Sequence, residues 1–113
     1  MTSADNYSTK LLKSAATFLS RWQGAHAQLW DLRSSIRTLR IVIQHPGRSG
    51  NLSIYCIDPI DVRSPIEWDN CQIAITQVQL PDGSGPGFRI ADEIASCEIL
   101  CGTIELKENA KLG

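Results

Sequence analysis

The chain has 113 residues, of which 42% are hydrophobic and 20% are charged, and its net charge is −1. This size and composition are typical of a globular domain and exclude an intrinsically disordered chain. The charge argues against a generic binder of polyanions. The sequence contains no apolar run of about 18 residues, the length that would predict a membrane-spanning helix.

The start of the sequence does not resemble a secretory signal. The first six residues lack the basic flank and apolar stretch of a secretory signal, so we expect a soluble, cytoplasmic (intracellular) protein. We predict one domain over residues 1–113, with flexible ends at 1–7 and 109–113.

Charge is distributed unevenly between the two halves of the chain. Residues 1–50 carry seven Lys or Arg against two Asp, whereas residues 51–113 carry ten Asp or Glu against four Lys or Arg. Such asymmetry indicates either a charged binding surface or two halves that neutralise each other within one domain. We favour neutralisation because the halves of a single domain pack together.

An amphipathic helix is predicted over Ser8 to Gln23. The apolar residues recur at helical spacing and form a stripe: Leu11, Ala15, Phe18 and Trp22, widened by Leu12, Ala16 and Leu19. Gly24 follows the last of them, and glycine at this position commonly ends a helix.

The next segment is ambiguous between helix and strand over residues 28–39. Its apolar residues fit a helical stripe, but the β-branched run that follows favours a strand. We interpret Gln28 to Leu32 as a short strand, Arg33 to Ser35 as a turn, and Ile36 to Gln44 as a second strand.

The remaining sequence alternates apolar and polar residues between turn signals, a pattern typical of strands. The Asp58-Pro59 pair is predicted to end one strand, Pro65 follows an irregular stretch, and a bulge is predicted near Gly102. The predicted strands are Asn51 to Ile57, Glu67 to Gln79, one starting at Phe88 to Ile90, and Ala95 to Lys107.

This order of elements predicts an α+β fold. Strands that follow one another without intervening helices form an antiparallel sheet. We therefore expect two layers, an N-terminal amphipathic helix packed on a mainly antiparallel β-sheet of about five or six strands.

Four cysteines are the first candidates for chemistry: Cys56, Cys71, Cys97 and Cys101. Together they are weak candidates for the ligands of one zinc ion. Each shares the parity of its strand's apolar residues, however, and Cys97 and Cys101 would lie roughly 13 Å apart along a straight strand. We therefore favour reduced cysteines in the core over a zinc-binding domain or disulfides.

Acidic residues and histidines offer an enzymatic alternative. Four carboxylates lie close together in sequence, and a loop histidine, His26 or His45, is available to join them in acid–base chemistry: Asp58, Asp61, Glu67 and Asp69. Their Asp-Pro and Asp-Asn contexts are equally typical of turns, and solvated loops account for the histidines. We name no catalytic residue and no cofactor.

Basic and aromatic residues provide the weak candidates for partner binding. Three arginines lie near one tryptophan, and a second tryptophan is predicted at the end of another element: Arg33, Arg37, Arg40, Trp30 and Trp68. Half-exposed tryptophans anchor protein partners, and arginines beside an aromatic ring can bind nucleic acid. On a strand, Arg40 has the opposite parity from Arg33 and Arg37, which divides the basic patch and makes nucleic acid the less favoured partner.

The glycine-rich stretch from Asp82 to Gly87 precedes a strand rather than a helix, which favours a hairpin connection over a phosphate-binding loop.

Taken together, these features favour a non-enzymatic binding or protein-interaction module, with an unknown protein or a second copy (a homodimer) as partner. A small enzyme using the acidic residues and a zinc-binding domain remain the alternatives.

Overall fold

The computed structural model describes residues 3–33, 37–45, 47 and 49–109, and for residues 3–8 and 31–33 it describes the backbone alone. Within these residues the protein is a small α+β domain with one helix and one antiparallel sheet of seven strands. The elements are α1 (Ser3–Trp22), β1 (His26–Arg33), β2 (Thr38–Gln44), β3 (Asn51–Arg63), β4 (Glu67–Trp68), β5 (Ala74–Gln79), β6 (Pro86–Asp92) and β7 (Cys97–Asn109).

The helix begins at Ser3, five residues earlier than the predicted start, and ends at Trp22. Its predicted stripe faces the core: Ala15, Leu19 and Trp22 are buried, whereas Ala16 is exposed. Gly24 follows with a φ of 83°, a left-handed conformation that glycine adopts without strain. No helix in the described part of the chain is long and apolar enough to cross a membrane.

The strands lie in the order β4-β1-β2-β3-β7-β6-β5, and neighbouring strands are antiparallel. The ambiguous segment is a strand, His26–Arg33, whose pairing with β2 contains a bulge between Leu29 and Asp31. The predicted turn at residues 33–35 lies largely outside the described residues. The predicted loop from Asp82 to Gly87 is confirmed as a hairpin connection between β5 and β6.

The prediction that Asp58-Pro59 ends a strand is wrong. β3 continues to Arg63, because Asp58 adopts a left-handed φ of 55° and donates its backbone N–H to the Arg37 carbonyl (2.8 Å). The pairing register with β7 then shifts between Pro59 and Asp61. The irregularity predicted near Gly102 therefore involves both strands, and Gly102 lies beside the Asp58 side chain.

The predicted strand from Glu67 to Gln79 is also wrong, because this segment forms two strands at opposite edges of the sheet. β4 pairs with β1, and β5 pairs with β6. Between them Asn70 has a φ of 54°, and Cys71 exchanges backbone hydrogen bonds with Gly24 and Ala25. Splitting this segment accounts for the seventh strand.

Asp92, at the end of β6, connects β4 at one edge of the sheet to the strands at the other end of the sheet. Its side chain is buried, and its Oδ2 accepts hydrogen bonds from the Trp68 indole N–H (2.8 Å) and the Gln72 backbone N–H (2.7 Å). Its Oδ1 accepts the backbone N–H of Ala95 (3.2 Å). Since Trp68 belongs to β4 and Asp92 to β6, these bonds hold the edges close and the sheet curls around its core.

The core lies between the helix and the concave face of this sheet. Its buried side chains come from α1 and from five strands: Leu19, Trp22, Ala27, Leu39, Ile41, Ile43, Leu52, Ile54, Cys56, Phe88, Ile90, Cys97, Ile99, Cys101 and Ile104. Trp22 also donates its indole N–H to Glu108 Oε2 on β7 (2.6 Å), which fixes the end of the helix on the sheet.

Candidate interaction surface

The face of the sheet opposite the helix carries polar and aromatic side chains. On β2 and β3, Ile41 and Ile54 point into the core, so their chain neighbours point to the other face. Paired residues lie side by side on one face, and the pairs here are Arg40 with Tyr55, Val42 with Ser53, Tyr55 with Glu105 and Ser53 with Lys107.

Arg40 occupies the centre of this face. Its guanidinium donates from Nε and Nη2 to the Ser53 hydroxyl, at 3.2 and 2.9 Å. It also lies over two aromatic rings, with Cζ 5.9 Å from the centre of the Trp30 ring and 5.5 Å from that of Tyr55. These distances are within the range of cation–π contacts, so Arg40 holds β1, β2 and β3 in one cluster.

Lys107 extends the cluster onto β7. Its Nζ lies 5.8 Å from the centre of the Tyr55 ring and 3.6 Å from Glu105 Oε1. Tyr55 is therefore flanked by two cations. We call Trp30, Arg40, Ser53, Tyr55 and Lys107 the Trp30 cluster.

Trp30 is the more exposed of the two aromatic residues in the cluster. Its side chain retains 59% of its accessible surface, whereas Ser53 beneath Arg40 is fully buried. The bulge between Leu29 and Asp31 places Trp30 out of regular pairing with β2. A large aromatic ring thus remains in contact with solvent beside the positive charge of Arg40.

The structure separates the residues that the sequence suggested for partner binding. Trp30 and Arg40 lie together, but Arg37 lies apart and pairs with Asp58 (3.2 Å). Trp68 is half-buried and donates its indole N–H to Asp92. The side chain of Arg33 lies outside the described residues.

The four cysteines are free and buried in the core. A hydrogen bond with Cys101, together with burial, raises the pKa of the Cys56 thiol well above its ordinary value. Burial also raises the pKa of Cys97. Among the described residues, no group of three or more His, Cys, Asp or Glu is arranged to hold a metal ion. The thiols of Cys56 and Cys97 are therefore protonated core side chains at neutral pH.

The acidic residues of the enzymatic alternative divide into two places. Asp58 and Asp61 pair with arginines on or near β3. Asp69 lies 2.7 Å from His26 Nδ1, and Glu67 lies 3.9 Å from its Nε2. No described serine, threonine or cysteine hydrogen-bonds to this imidazole, so the described group lacks a nucleophile of the Ser–His type.

A surface cavity of about 500 Å³ lies where the hairpin after β5 approaches the start of β2. Arg37 and Asp58 line it and satisfy each other's charge. Asp82, on its rim, accepts hydrogen bonds from the backbone and hydroxyl of Ser84, which lower its pKa. The described charged groups of the cavity are thus already paired with neighbouring side chains or hydrogen-bond donors.

Sequence reasoning missed Ser53, Tyr55 and Lys107, three of the five residues in the Trp30 cluster. These residues are remote in sequence from Trp30 and Arg40, and the pairing register alone brings them together. One feature of the sequence could have indicated two of them: Ser53 and Tyr55 alternate with the apolar Ile54 and Cys56 along β3, which places them on the face opposite to the core.

Comparison with known proteins gives this chain no relatives: no protein-family model matches it, and neither a curated protein nor a solved structure is significantly similar.

Proposed function

We propose that this domain is a non-enzymatic interaction module that binds a protein partner through the Trp30 cluster. The observation that carries the proposal is the exposed indole of Trp30 beside Arg40, on the face of the sheet that the helix leaves uncovered. Tryptophan, tyrosine and arginine are the residue types that dominate the energetics of protein interfaces.

The cluster is organised before any partner arrives. Arg40 is held by the Ser53 hydroxyl and by two rings, so little side-chain entropy is lost when a partner covers it. Trp30 supplies most of the apolar area still open to solvent, and a ring of this size buries about 200 Å² in a contact. Such preorganisation favours binding over a merely solvated surface.

The charges of the cluster indicate an acidic partner. The described contacts of the Arg40 guanidinium are with neutral groups, a hydroxyl and two rings. Carboxylates of a partner can accept its remaining N–H donors and approach Lys107 nearby. We therefore propose a partner segment that carries acidic side chains around an apolar one that packs on Trp30.

A protein partner fits this surface better than nucleic acid does. Arg37 lies apart from the cluster and pairs with Asp58, Glu105 lies within the face, and the whole chain has a net charge of −1. Protein surfaces that bind nucleic acid are instead strongly basic along their length.

Selection from a random peptide library displayed on phage tests this proposal. We expect the recovered peptides to carry Asp or Glu next to an aromatic or aliphatic residue. Trp30→Ala weakens their binding at least about tenfold, since it removes the anchor of the interface. The matched control is Ile94→Ala, because Ile94 is 84% exposed but lies on the turn between β6 and β7.

Three outcomes contradict the proposal. One is a set of peptides that bind wild type and Trp30→Ala equally well, and another is binders weakened as much by Ile94→Ala. The third is tight binding of a single-stranded oligonucleotide at low salt that Arg40→Ala abolishes, since this would assign the cluster to nucleic acid.

A further inference from the structure

The two edges of the sheet differ in whether another strand can pair with them. At one edge β4 is only two residues long, is preceded by Pro65, and carries Glu67 next to the exposed Asp69. The neighbouring part of β1 is bulged at Trp30. Short, charged and bulged edges prevent further strand pairing, so this edge is closed to a partner strand.

The opposite edge, β5, has none of these protective features. Its six residues, Ala74–Gln79, include no proline and no charged side chain, and they pair with β6 in one unbroken register. It is the terminal strand of the described sheet. An uncharged, regular edge strand of this length is a template for another strand.

The pairing with β6 shows which backbone groups of β5 point outward. Leu80 donates its N–H to the Gly85 carbonyl (2.8 Å), which continues the pairing of Gln79 with Pro86 by one residue. Hydrogen-bonded and non-hydrogen-bonded pairs alternate in an antiparallel ladder. Val78 and Thr76 therefore bond to β6, while Ile75, Gln77 and Gln79 direct their N–H and C=O groups away from the sheet.

We propose that β5 pairs antiparallel with β5 of a second copy of this chain, around a two-fold axis at Gln77. The three outward-pointing residues then form hydrogen-bonded pairs: Gln77 with Gln77 of the second copy, and Ile75 with Gln79 in both directions. Thr76 meets Val78 of the second copy on the other face, and such β-branched pairs stabilise a sheet. This inference concerns a different surface from the Trp30 cluster and does not depend on it.

A second copy fits this edge for reasons of charge and symmetry. In this register no charge opposes a like charge, because β5 has none. Since the β4 edge is closed to pairing, β5 can pair only with β5, which gives a closed dimer rather than a filament. An apolar hollow of about 320 Å³ between α1 and β5, lined by Leu19 and Ile75, lies on the face where Gln79 of the second copy would contact Ile75.

Charge substitutions at Gln77 test the register directly. The Gln77 side chain is exposed and its backbone points away from β6, so Gln77→Lys and Gln77→Glu leave the fold intact. Each places two like charges across the axis, and we expect the dimer dissociation constant to rise at least about tenfold. Mixing the two variants restores dimerisation as a heterodimer. Gln44→Lys, at an exposed position of β2, is the matched control and dimerises like wild type.

Sedimentation velocity from about 1 to about 300 µM protein measures these constants, with circular dichroism to verify the fold of each variant. The proposal is supported by a wild-type dimer that both Gln77 variants weaken and their mixture restores. It is overturned by a wild-type monomer across this range, by a dimer that Gln77→Lys leaves intact, by larger open assemblies, or by a mixture that stays monomeric.

Discussion

Arg40 determines what the uncovered face of the sheet can bind. A strand with alternating side chains places it on the same face as Trp30 and Tyr55, and its guanidinium contacts both rings while hydrogen-bonding to Ser53. Ser53, to which this guanidinium donates, is a fully buried polar residue, and Val42 beside it on the same face is buried too. The charge stays at the surface, which is the property that an acidic partner requires.

Tryptophan fluorescence tests this arrangement without a partner. Trp22 is buried and Trp68 is half-buried, so we expect Trp30 to contribute most of the emission that acrylamide quenches. Because the positive charge of Arg40 concentrates anions near the Trp30 ring, we expect iodide to quench its emission more than caesium does, and Arg40→Gln to reduce that difference. If Trp30→Phe left the fraction of the emission that acrylamide quenches unchanged, the exposed position of Trp30 would be contradicted.

Cys71 couples the stability of the fold to alkaline pH. Burial raises the pKa of its thiol from 9.0 to about 11, the Ala25 backbone lowers it, and the charge of Asp92 raises it. Below pH 9.0 the thiol is protonated in both the folded and unfolded chains. Above that value the unfolded chain loses the proton first, so the free energy of unfolding falls as pH rises towards about 11.

Urea titrations at pH values across this interval check the prediction. Cys71→Ala removes one titrating group, so its free energy of unfolding falls less steeply with pH than that of wild type. The variant is less stable at every pH because a buried side chain is truncated, and the comparison therefore uses slopes rather than absolute values. Equal slopes in both proteins would show that Cys71 titrates normally in the fold.

At the scale of elements, the segment from Glu67 to Gln79 explains why the sequence predicted too few strands. Its alternation is real, because Cys71, Ile73 and Ile75 all face the core. Alternation reports only which face a residue occupies, and it does not report which strand is its neighbour. The change of neighbour depends on Asn70 with its left-handed φ and on the carboxylate of Asp92, neither of which alters the hydrophobic pattern.

Asp92 is accordingly the residue whose loss should separate the sheet edges. Its carboxylate accepts three N–H donors, and in Asp92→Asn the amide nitrogen would face donors instead. We expect the free energy of unfolding to fall by about 1–3 kcal/mol. The matched control is Asp82→Asn, an exposed aspartate that also accepts two hydrogen bonds, where the loss stays below about 0.5 kcal/mol. Equal losses in urea titrations of the two variants would contradict the connecting role of Asp92.

At the scale of the whole molecule, the helix stripe, the burial of the cysteines and the antiparallel class followed from periodicity alone. Two ion pairs join the basic first half to the acidic second half, Arg21 with Glu108 and Arg37 with Asp58. The Trp30 cluster was only partly predictable, because Tyr55 and Lys107 reach it through long-range strand pairing that local patterns do not encode.

The domain thus presents two separate surfaces, a prearranged aromatic and cationic face and an uncharged strand edge. We propose that the first binds an acidic partner segment and that the second pairs with another copy of the chain. The central claim is that the Trp30 cluster is where a partner binds. The most direct test of this claim is to map where a peptide selected for binding to the wild-type domain contacts the domain.

That measurement is a titration of the ¹⁵N-labelled domain with the selected peptide, followed by NMR chemical shifts. We expect the largest changes at Trp30 and its indole N–H, at Arg40, at Tyr55 and at Lys107, with β5 and the helix nearly unchanged. Changes concentrated on β5, on the helix or around the turn at Ile94, with the Trp30 indole unaffected, would contradict the account.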